Sequence, residues 1–328
     1  MPNPKRVAIV GASGAVGVEM LRVMERRNFP VASLRLLASP RSAGSTLEFR
    51  GEEHTIQPLG ADSFHGIDIA LFSAGGDISR THARNAVDCG AIVVDNSSAF
   101  RMSPEVPLVV PEINGADAKN HRGIIANPNC TTAITLMALH PLHHAFGVRR
   151  IFASSYQAVS GAGARAIAEL RSQVEALAKH HPVHKEIFPH QIAFNVIPQV
   201  DAFLESGYTK EEMKMENEGR RIMHLPSFKA SVTCVRVPVY RAHSVALSAE
   251  FEKPVSLDAA KSALRSAPGL RFLEEGYPMP LDAAGHDDCF AGRLRIDCAM
   301  ENGLALWVCG DQLLKGAALN AVQIAELL

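Results

Sequence analysis

The stretch Lys5-Arg-Val-Ala-Ile-Val10, followed by Gly11-Ala-Ser-Gly14-Ala-Val-Gly17, predicts a buried strand, a glycine turn and an amphipathic helix running to about Arg27. Glycines at such a turn let the backbone approach a pyrophosphate, which the N–H groups of the helix N-terminus then hold. The spacing is G-x-x-G-x-x-G, not the commoner G-x-G-x-x-G, so a plain tight turn is the alternative. Its place directly after the first strand favours a dinucleotide site. The predicted cofactor contacts in this turn are Gly11, Ala12, Ser13, Gly14, Ala15 and Val16.

Strand and helix patterns alternate as far as residue 126, which predicts an α/β fold with a doubly wound parallel sheet. Ligands bind outside the carboxyl ends of the strands in such sheets. We therefore expect the loops at 73–76, 95–98 and 127–130 to meet at one crevice, with Ser73 among the cofactor contacts. The predicted strands lie at 34–38, 68–72, 91–94 and 124–126, and the helices at 78–89 and after Asn114.

After Cys130 the pattern changes to longer strand-like runs, which predict a second, α+β domain with a mostly antiparallel sheet. The last helical run, 312–328, resembles nothing else in that domain, and we expect it to pack on the first. The division is therefore 1–129 with 311–328 for the dinucleotide domain, and 130–310 for the second. Its predicted strands are 149–157, 231–239 and 244–251, and its predicted helices 162–179, 210–223 and 257–267.

The loop after the second strand contains Ser39, Arg41 and Ser42, where a fold that prefers NAD usually offers an acidic side chain to the ribose 2'-hydroxyl. A guanidinium can form two charge-assisted hydrogen bonds to a 2'-phosphate, and hydroxyls can add to them. The loop therefore favours NADP over NAD. The alternative is an ordinary solvated arginine.

Asn127-Pro-Asn-Cys-Thr-Thr132 places Cys130 at the turn that opens an apolar helical run, 131–145. Unbonded N–H groups and the positive end of the helix dipole stabilise a thiolate at such a position. A cysteine there is a candidate nucleophile. The alternative is a buried structural cysteine.

Composition excludes several classes of protein. With 328 residues, 47% of them hydrophobic, the chain is long enough for two packed cores, which excludes disordered and fibrous classes. A net charge of −1 leaves no bulk positive field for nucleic acid or a membrane surface. No run approaches 18 apolar residues, no signal peptide pattern is present, and the six cysteines form no C-x-x-C pair. We expect a cytoplasmic protein with reduced thiols.

Taken together, the motifs resemble those of the aspartate-semialdehyde dehydrogenase family over nearly the whole chain. The resemblance implies a Rossmann-type nicotinamide-binding domain and a substrate domain that also forms a homodimer interface. It implies NADPH-dependent conversion of aspartyl phosphate to aspartate semialdehyde and phosphate. The matching motifs are Gly11 to Gly17, Ser97-Ser-Ala-Phe-Arg101, Pro128-Asn-Cys-Thr-Thr132, Tyr156 to Gly163, Glu211-Glu-Met-Lys214, Arg236 to His243 and Lys315 to Gln323.

The resemblance also assigns roles. Cys130 matches the nucleophile that forms a thioester, and His243 the residue that takes the thiol proton and later shuttles one. Gln157 matches a residue that orients the substrate, and Asn129 one that helps to hold the thioester oxygen. A histidine in this chain, one of 14, is more often surface or structural, so His243 depends on that context.

Substrate and cofactor contacts follow by the same resemblance. Arg236 matches the substrate-carboxylate binder, and Glu211 the binder of its ammonium, although Glu212 could take that part. Arg236 and His243 read as one strand, and their odd spacing requires a bulge near Pro238 to bring both to one site. Arg101 and Lys214 match phosphate binders, although Glu211 and Lys214 equally fit a surface ion pair. Ser160, Gly161 and Asn320 match cofactor contacts.

Alternatives remain at the level of function. N-acetyl-glutamyl-phosphate reductase shares the fold and the Cys/His pair, but carries Pro-Gly-Cys where this chain has Pro128-Asn-Cys130. A nonenzymatic binding protein could keep the same fold. The histidines at 180, 181, 184 and 190 lack the spacing of a metal site, so we expect no metal and a solvated loop near the dimer interface.

Overall fold

A computed structural model describes residues 3–328. They form two compact units, one of residues 3–129 with Ala317–Leu328, the other of Cys130–Gly316. The strands are β1 (Lys5–Val10), β2 (Val31–Ala38), β3 (Thr46–Phe49), β4 (Glu52–Pro58), β5 (Ile69–Phe72), β6 (Ile92–Asp95), β7 (Ile124–Ala126), β8 (Val148–Gln157), β9 (Lys229–Arg236), β10 (His243–Phe251), β11 (Leu270–Phe272), β12 (Cys289–Ile296) and β13 (Gly303–Gly310). The helices are α1 (Ala15–Arg26), α2 (Gly76–Asp88), α3 (Pro111–Asn114), α4 (Cys130–Phe146), α5 (Ala164–Ala178), α6 (Lys210–Ile222), α7 (Leu257–Arg265), α8 (Pro280–Ala283) and α9 (Leu319–Glu326).

The first unit is built on a seven-stranded sheet in the order β3-β4-β2-β1-β5-β6-β7. Neighbouring strands are parallel except for the β3/β4 pair. The strand order reverses at β1, which has β2 on one side and β5 on the other. Open α/β sheets bind ligands at such a switch point. The predicted doubly wound parallel sheet is confirmed.

A hairpin of β3 and β4 was missing from the prediction. Arg50 and Gly51 at its tip have φ of 55° and 79°, the left-handed pair that a tight two-residue hairpin turn requires. Its strands are mostly exposed and carry Glu48, Glu52 and Glu53, so no alternating apolar pattern marks them. Only the turn residues could have indicated it.

Two predicted helices differ in extent. The helix expected after Asn114 is a short 3₁₀ turn, Gly115–Asn120. The run 312–328 is not one helix, because a π-helical turn, Leu314–Ala318, precedes α9, and residues 311–316 belong to the second unit. Helix α9 itself packs on α1 and β6 of the first unit.

The second unit is built on a six-stranded mixed sheet in the order β11-β12-β13-β10-β8-β9. Strands β12, β13, β10 and β8 pair antiparallel in turn, whereas β11/β12 and β8/β9 pair parallel. Helix α4 packs against β8, β10, β12 and β13, and its residues 131–139 are all buried. Among residues 3–328, none of the helices has the length and apolar content to cross a membrane.

The expectation that Arg236 and His243 share one strand is wrong. Arg236 is the last residue of β9 and His243 the first of β10, and these strands lie on opposite sides of β8. The segment that contains Pro238 crosses from one strand to the other, so no bulge is needed. The odd spacing of the two residues carries no constraint once they belong to different strands.

Candidate active site

The first unit contains a cleft of about 500 Å³ at the carboxyl ends of β1, β2 and β5. Seven predicted cofactor contacts line it, whereas Ala12, Ala15 and Val16 do not. His82 and Ile78 of α2 and Leu59 also line it, and no role was predicted from the sequence for any of the three. The predicted residues in the lining are Gly11, Ser13, Gly14, Ser39, Arg41, Ser42 and Ser73.

Gly11 makes the turn below this cleft possible. Its φ is 88°, and a methyl group on it would lie 2.4 Å from the carbonyl oxygen of Ser73. Gly17 is equally constrained, because a methyl group there would lie 2.4 Å from the carbonyl oxygen of Gly11. The turn can therefore lie against Ser73, and α1 against the turn, only with glycine at both places. Across the cleft floor, Ser13 donates to or accepts from Ser42 at 3.1 Å.

A chain of amides lies deeper in the same unit. Asn320 Nδ2 donates to Asn127 Oδ1 at 2.6 Å and to the carbonyl of Val109 at 2.9 Å. Asn320 is fully buried, yet its Oδ1 accepts no hydrogen bond from the described residues. A buried acceptor without a donor is costly, so this oxygen can accept an N–H from a ligand. Asn127 in turn donates to Asn96 Oδ1 at 2.6 Å.

Arg101 belongs to this unit and is buried. Its Nε donates to the carbonyl of Asn127 at 2.8 Å, and its Nη2 to the carbonyl of Asn96 at 3.0 Å. These carbonyls belong to the loops after β7 and β6, so the guanidinium is fixed at the carboxyl edge of the sheet. Asn129, the last residue of this part of the unit, is also buried.

In the second unit, Cys130 is the first residue of α4 and is partly exposed. The helix therefore directs its positive end at the thiol, as the sequence predicted. Gly316 packs against it so closely that a methyl group there would lie 2.6 Å from Cys130 Cβ. All six cysteines are thiols.

Three polar side chains meet at one end of the sheet. Gln157, at the end of β8, pairs in register with Arg236 on β9. On the other side of β8, Tyr156 pairs with Ser244 of the antiparallel strand β10, so His243 lies beside Gln157. All three side chains are buried. Gln157 Nε2 makes a short hydrogen bond to Thr131 Oγ1, one residue after the cysteine. Strand register thus brings three predicted residues together beside the start of α4.

His243 is held by the backbone. The amide N–H of Ala158 donates to its Nδ1 at 3.0 Å. Burial, and then the positive charge of Arg236, lowers the pKa of His243 well below its ordinary 6.5. The ring is therefore neutral, and since Nδ1 accepts a hydrogen bond, the ring proton is on Nε2. His243 presents a donor to the site.

Arg236 is oriented from two sides. Its Nη1 donates to the carbonyl of Ala158 at 2.7 Å, and its guanidinium carbon lies 6.0 Å from the centre of the Phe188 ring. Burial lowers its pKa, while the charges of Cys130 and Glu211 act in the opposite direction. A buried guanidinium near an ionisable thiol favours the binding of anionic ligands.

The histidine-rich segment is not simply a solvated loop, as the sequence suggested. Phe188, which lies between its histidines, is buried in the core beside α5, and so are Ile192 and Ala193, which follow it. Glu169 on α5 accepts the backbone N–H groups of residues 186 and 187, and Gln173 accepts those of Ile192 and Ala193. Two buried polar residues of α5 thus fix the segment that carries Phe188 to Arg236. The histidines themselves are mostly exposed.

The choice between Glu211 and Glu212 follows from helix capping. Glu212 accepts the backbone N–H of Thr209 at 2.6 Å and that of Cys234 at 2.9 Å, so it caps α6. Glu211 instead accepts from Gln157 at 3.2 Å and from Lys214 at 2.7 Å. Glu211 therefore faces the polar cluster, and its ion pair with Lys214 exists as well.

Ser160 and Gly161 lie in a 3₁₀ turn, Val159–Ala162, next to the same cluster. A methyl group on Gly161 would lie 3.0 Å from Arg236 Nη1 and 3.2 Å from His243 Nε2. A side chain at this position would therefore crowd both nitrogens. Ser160 accepts a short hydrogen bond from Gln312, a residue that sequence reasoning did not select.

Comparisons with known proteins agree over the whole chain. The model for the NAD binding domain of semialdehyde dehydrogenases matches residues 6–121, and the model for their dimerisation domain matches residues 139–315. The chain is 52% identical to an aspartate-semialdehyde dehydrogenase of Synechocystis and 52% identical to one of Aquifex aeolicus, covering 98% and 97% of those proteins and at least 98% of itself. A crystal structure of Vibrio cholerae aspartate semialdehyde dehydrogenase II complexed with ASA superposes with a TM-score of 0.98 at 44% identity, over 99% of this chain and 98% of that one.

The packing of Gly316 on Cys130 gives a first prediction. Gly316→Ala should displace the thiol, because the added methyl group meets main-chain and Cβ atoms that cannot move independently. We expect slower alkylation of Cys130 by iodoacetamide, measured by mass spectrometry of the peptide that contains it. Gly60→Ala is the control, since a methyl group there enters open space. Equal alkylation rates in both variants would contradict the tight contact.

Proposed function

Since the chain belongs to the aspartate-semialdehyde dehydrogenase family, we propose that it reduces L-aspartyl 4-phosphate to L-aspartate 4-semialdehyde through a thioester on Cys130. It is an NADP-dependent oxidoreductase of amino-acid biosynthesis, at the step that serves lysine, threonine, methionine and diaminopimelate. The observation that carries the mechanism is the arrangement of Gln157, Arg236 and His243 on three adjacent strands beside the helix that Cys130 begins.

Chemistry starts at the thiol. The Cys130 thiolate, stabilised by the N-terminus of α4, attacks the carbonyl carbon of the acyl phosphate. The new C–S bond replaces the C–O bond to phosphate, which leaves as the inorganic ion. Substitution thus ends in a thioester, and the later reduction starts from a carbonyl that is already bound to the protein.

His243 is placed to serve the oxygen of that carbonyl. Its Nε2–H can donate to the oxygen when charge develops there, as a general acid does. NADPH, when bound, supplies the hydride that reduces the thioester to a thiohemiacetal. When the C–S bond then breaks, the hydroxyl proton returns to the Nε2 that donated it, and the sulfur leaves as the Cys130 thiolate. The predicted capture of the thiol proton by His243 stays a prediction, and the neutral Nε2–H form supports the donor half of its role.

Substrate recognition uses complementary charges. A substrate carboxylate fits the buried guanidinium of Arg236, because a planar fork can bind both oxygens. Glu211 offers a carboxylate to the substrate ammonium, and Gln157 can orient the reacting carbonyl without titrating. Lys214 and Arg101 remain the proposed phosphate contacts. Asn129 remains the proposed contact of the thioester oxygen.

The residues of the first unit fit NADP. The cleft at the β1 turn has no acidic side chain in its lining, and it includes Arg41 with Ser39 and Ser42, which suits a 2'-phosphate. The orphaned acceptor of Asn320 suits the amide N–H of a nicotinamide. Ser160 and Gly161 remain proposed contacts from the second unit.

N-acetyl-glutamyl-phosphate reductase is not favoured as the alternative. The relatives at 52% identity are aspartate-semialdehyde dehydrogenases, and this chain has asparagine directly before the nucleophile. A free amino group on the shorter substrate also gives Glu211 a partner, which an acetylated substrate would lack.

We also propose a homodimer that buries one face of the six-stranded sheet. Phe152 and Tyr156 on the interior strand β8 are 47% and 38% exposed, and the Tyr156 ring lies 5.3 Å from that of Trp307. Aromatic side chains in the middle of a sheet face are rarely left in water. The matched dimerisation domain contains all three residues, which supports a second copy of this chain as the occupant. A cytoplasmic location fits its six thiols.

The function is tested by the reverse reaction, followed as NADPH absorbance. We expect phosphate-dependent reduction of NADP by L-aspartate 4-semialdehyde, and none with N-acetylglutamate semialdehyde. Cys130→Ala should lower turnover by at least about a thousandfold and leave NADP binding intact. Activity on the acetylated substrate alone would assign the site to the reductase, and inactivity on both would favour a binding protein.

Cofactor choice gives a separate prediction. Arg41→Ala should weaken NADP by at least about tenfold, because charge-assisted hydrogen bonds to the 2'-phosphate are lost, while NAD is little affected. Titration of each cofactor by calorimetry measures both constants. Arg84→Ala, which removes an exposed arginine of α2 that pairs with Glu105, is the control. Equal weakening of NAD and NADP by Arg41→Ala would refute the 2'-phosphate role.

The dimer is tested by a charge on the proposed face. Phe152→Glu should give monomers in light scattering after gel filtration, because a carboxylate would be buried unpaired between the two sheets. Leu327→Glu, which alters an exposed leucine of the other unit, should leave the assembly unchanged. A Phe152→Glu protein that stays dimeric would place the interface elsewhere.

A further inference from the structure

Gln312 lies just beyond the end of β13 and is almost wholly buried. Its two amide atoms bond two separate backbone segments of the second unit. Oε1 accepts the N–H of Ala242 at 2.8 Å, and Nε2 makes a short hydrogen bond to Ser160 Oγ.

The first segment contains Ala242 and leads directly into His243. Ala242, directly before it, has φ of 72°, a left-handed conformation that a residue with a Cβ rarely adopts. Such backbone persists only where the surroundings fix it. Ala242 is fully buried, and Gln312 accepts its N–H. The amide of Gln312 therefore holds the backbone in the conformation from which the imidazole projects.

The second segment is the one that fixes the ring. Ala158 donates its N–H to His243 Nδ1, and the 3₁₀ turn that includes Ser160 follows directly. Gln312 thus holds the residue before the histidine and the turn beside its ring nitrogen. One side chain bonds residues on both sides of the imidazole, while the N–H of Ala158 itself fixes the tautomer.

The anchor of Gln312 is itself rigid. The neighbouring Asp311 is fully buried and accepts the N–H groups of Gly285 at 2.7 Å and Leu313 at 2.9 Å. It also makes a short ion pair with Arg241, one residue before Ala242. Displacement of Gln312 would therefore break several bonds at once.

We propose that Gln312 is a positioning residue, which acts through Ala242 and Ser160 to keep His243 as the Nε2–H donor. Its effect on turnover rests on the proposed acid/base role of His243. Its effect on the ring does not, because the tautomer is a property of the protein without substrate.

The test uses the full-length protein labelled with [15N]histidine. Long-range 1H–15N correlation spectra distinguish a protonated ring nitrogen from an unprotonated one, and His243→Gln assigns the signal. In the unsubstituted protein we expect an unprotonated Nδ1 and a protonated Nε2. Gln312→Met, which removes both hydrogen bonds at similar length, should give averaged signals from mixed tautomers.

Turnover provides the second readout. Gln312→Met should lower kcat by at least about tenfold, within the range of acid/base contributions, with KM for the semialdehyde and NADP affinity changed less than threefold. Gln323→Met is the matched control, since that glutamine bonds Glu112 in the other unit. If Gln312→Met does not fold, Gln312→Glu keeps the acceptor for Ala242 and loses the donor to Ser160, and it should show the same changes in smaller degree.

The outcomes separate the two proposals. Unchanged His243 signals in a folded Gln312 variant would overturn the positioning role. Altered signals with normal kcat would support the positioning of the ring and overturn its proposed acid/base role. Weakened NADP with an unchanged ring would make Gln312 a cofactor contact instead. Altered signals in a protein that lacks the dehydrogenase reaction would leave the positioning of the ring intact and overturn the proposed function.

Discussion

Cys130 occupies the first turn of α4, a helix whose next nine residues, 131–139, are all buried, and this placement fixes where the thiol lies. The helix cannot shift without loss of core contacts, and Gly316 lies against the cysteine main chain. The thiol is therefore fixed at the positive end of a helix. The side chains that surround it, Gln157, Arg236 and His243, lie at the ends of β8, β9 and β10.

His243, the proposed acid/base group, is also held in place by its neighbours. A backbone N–H, from Ala158, sets which nitrogen of His243 carries the proton, and the carbonyl of the same residue accepts from Arg236. One peptide segment thus orients both a neutral donor and a permanent cation. Because burial and that cation both lower the pKa of the imidazole, the two side chains keep distinct roles at neutral pH.

Much of the fold could be predicted, because its signals are local. The strand and glycine turn at residues 5–17 and the alternation up to residue 126 reflect spacing along the chain. The roles of Gln157, Arg236 and His243 came from resemblance to a family. Periodicity assigned Arg236 and His243 to one strand, because it cannot show that β8 lies between their strands.

What the sequence did not indicate depends on long-range hydrogen bonds. Gln312 bonds residues 70 and 152 positions away. Glu169 accepts the backbone N–H groups of residues 186 and 187, and the apolar pattern of α5 gives no sign of these bonds. The hairpin of β3 and β4 was missed for another reason, since its exposed, charged strands show no apolar alternation. Such features become visible only when the chain has folded.

The central claim is covalent catalysis at Cys130, and trapping of the thioester tests it most directly. The protein is mixed with L-aspartate 4-semialdehyde and NADP without phosphate, so that the acyl group has no acceptor, then quenched in acid and digested for mass spectrometry. The account predicts an aspartyl group on the peptide that contains Cys130, which disappears when phosphate is added before the quench. NADPH formation without an adduct, or an adduct on the peptide that contains Cys234, would contradict it.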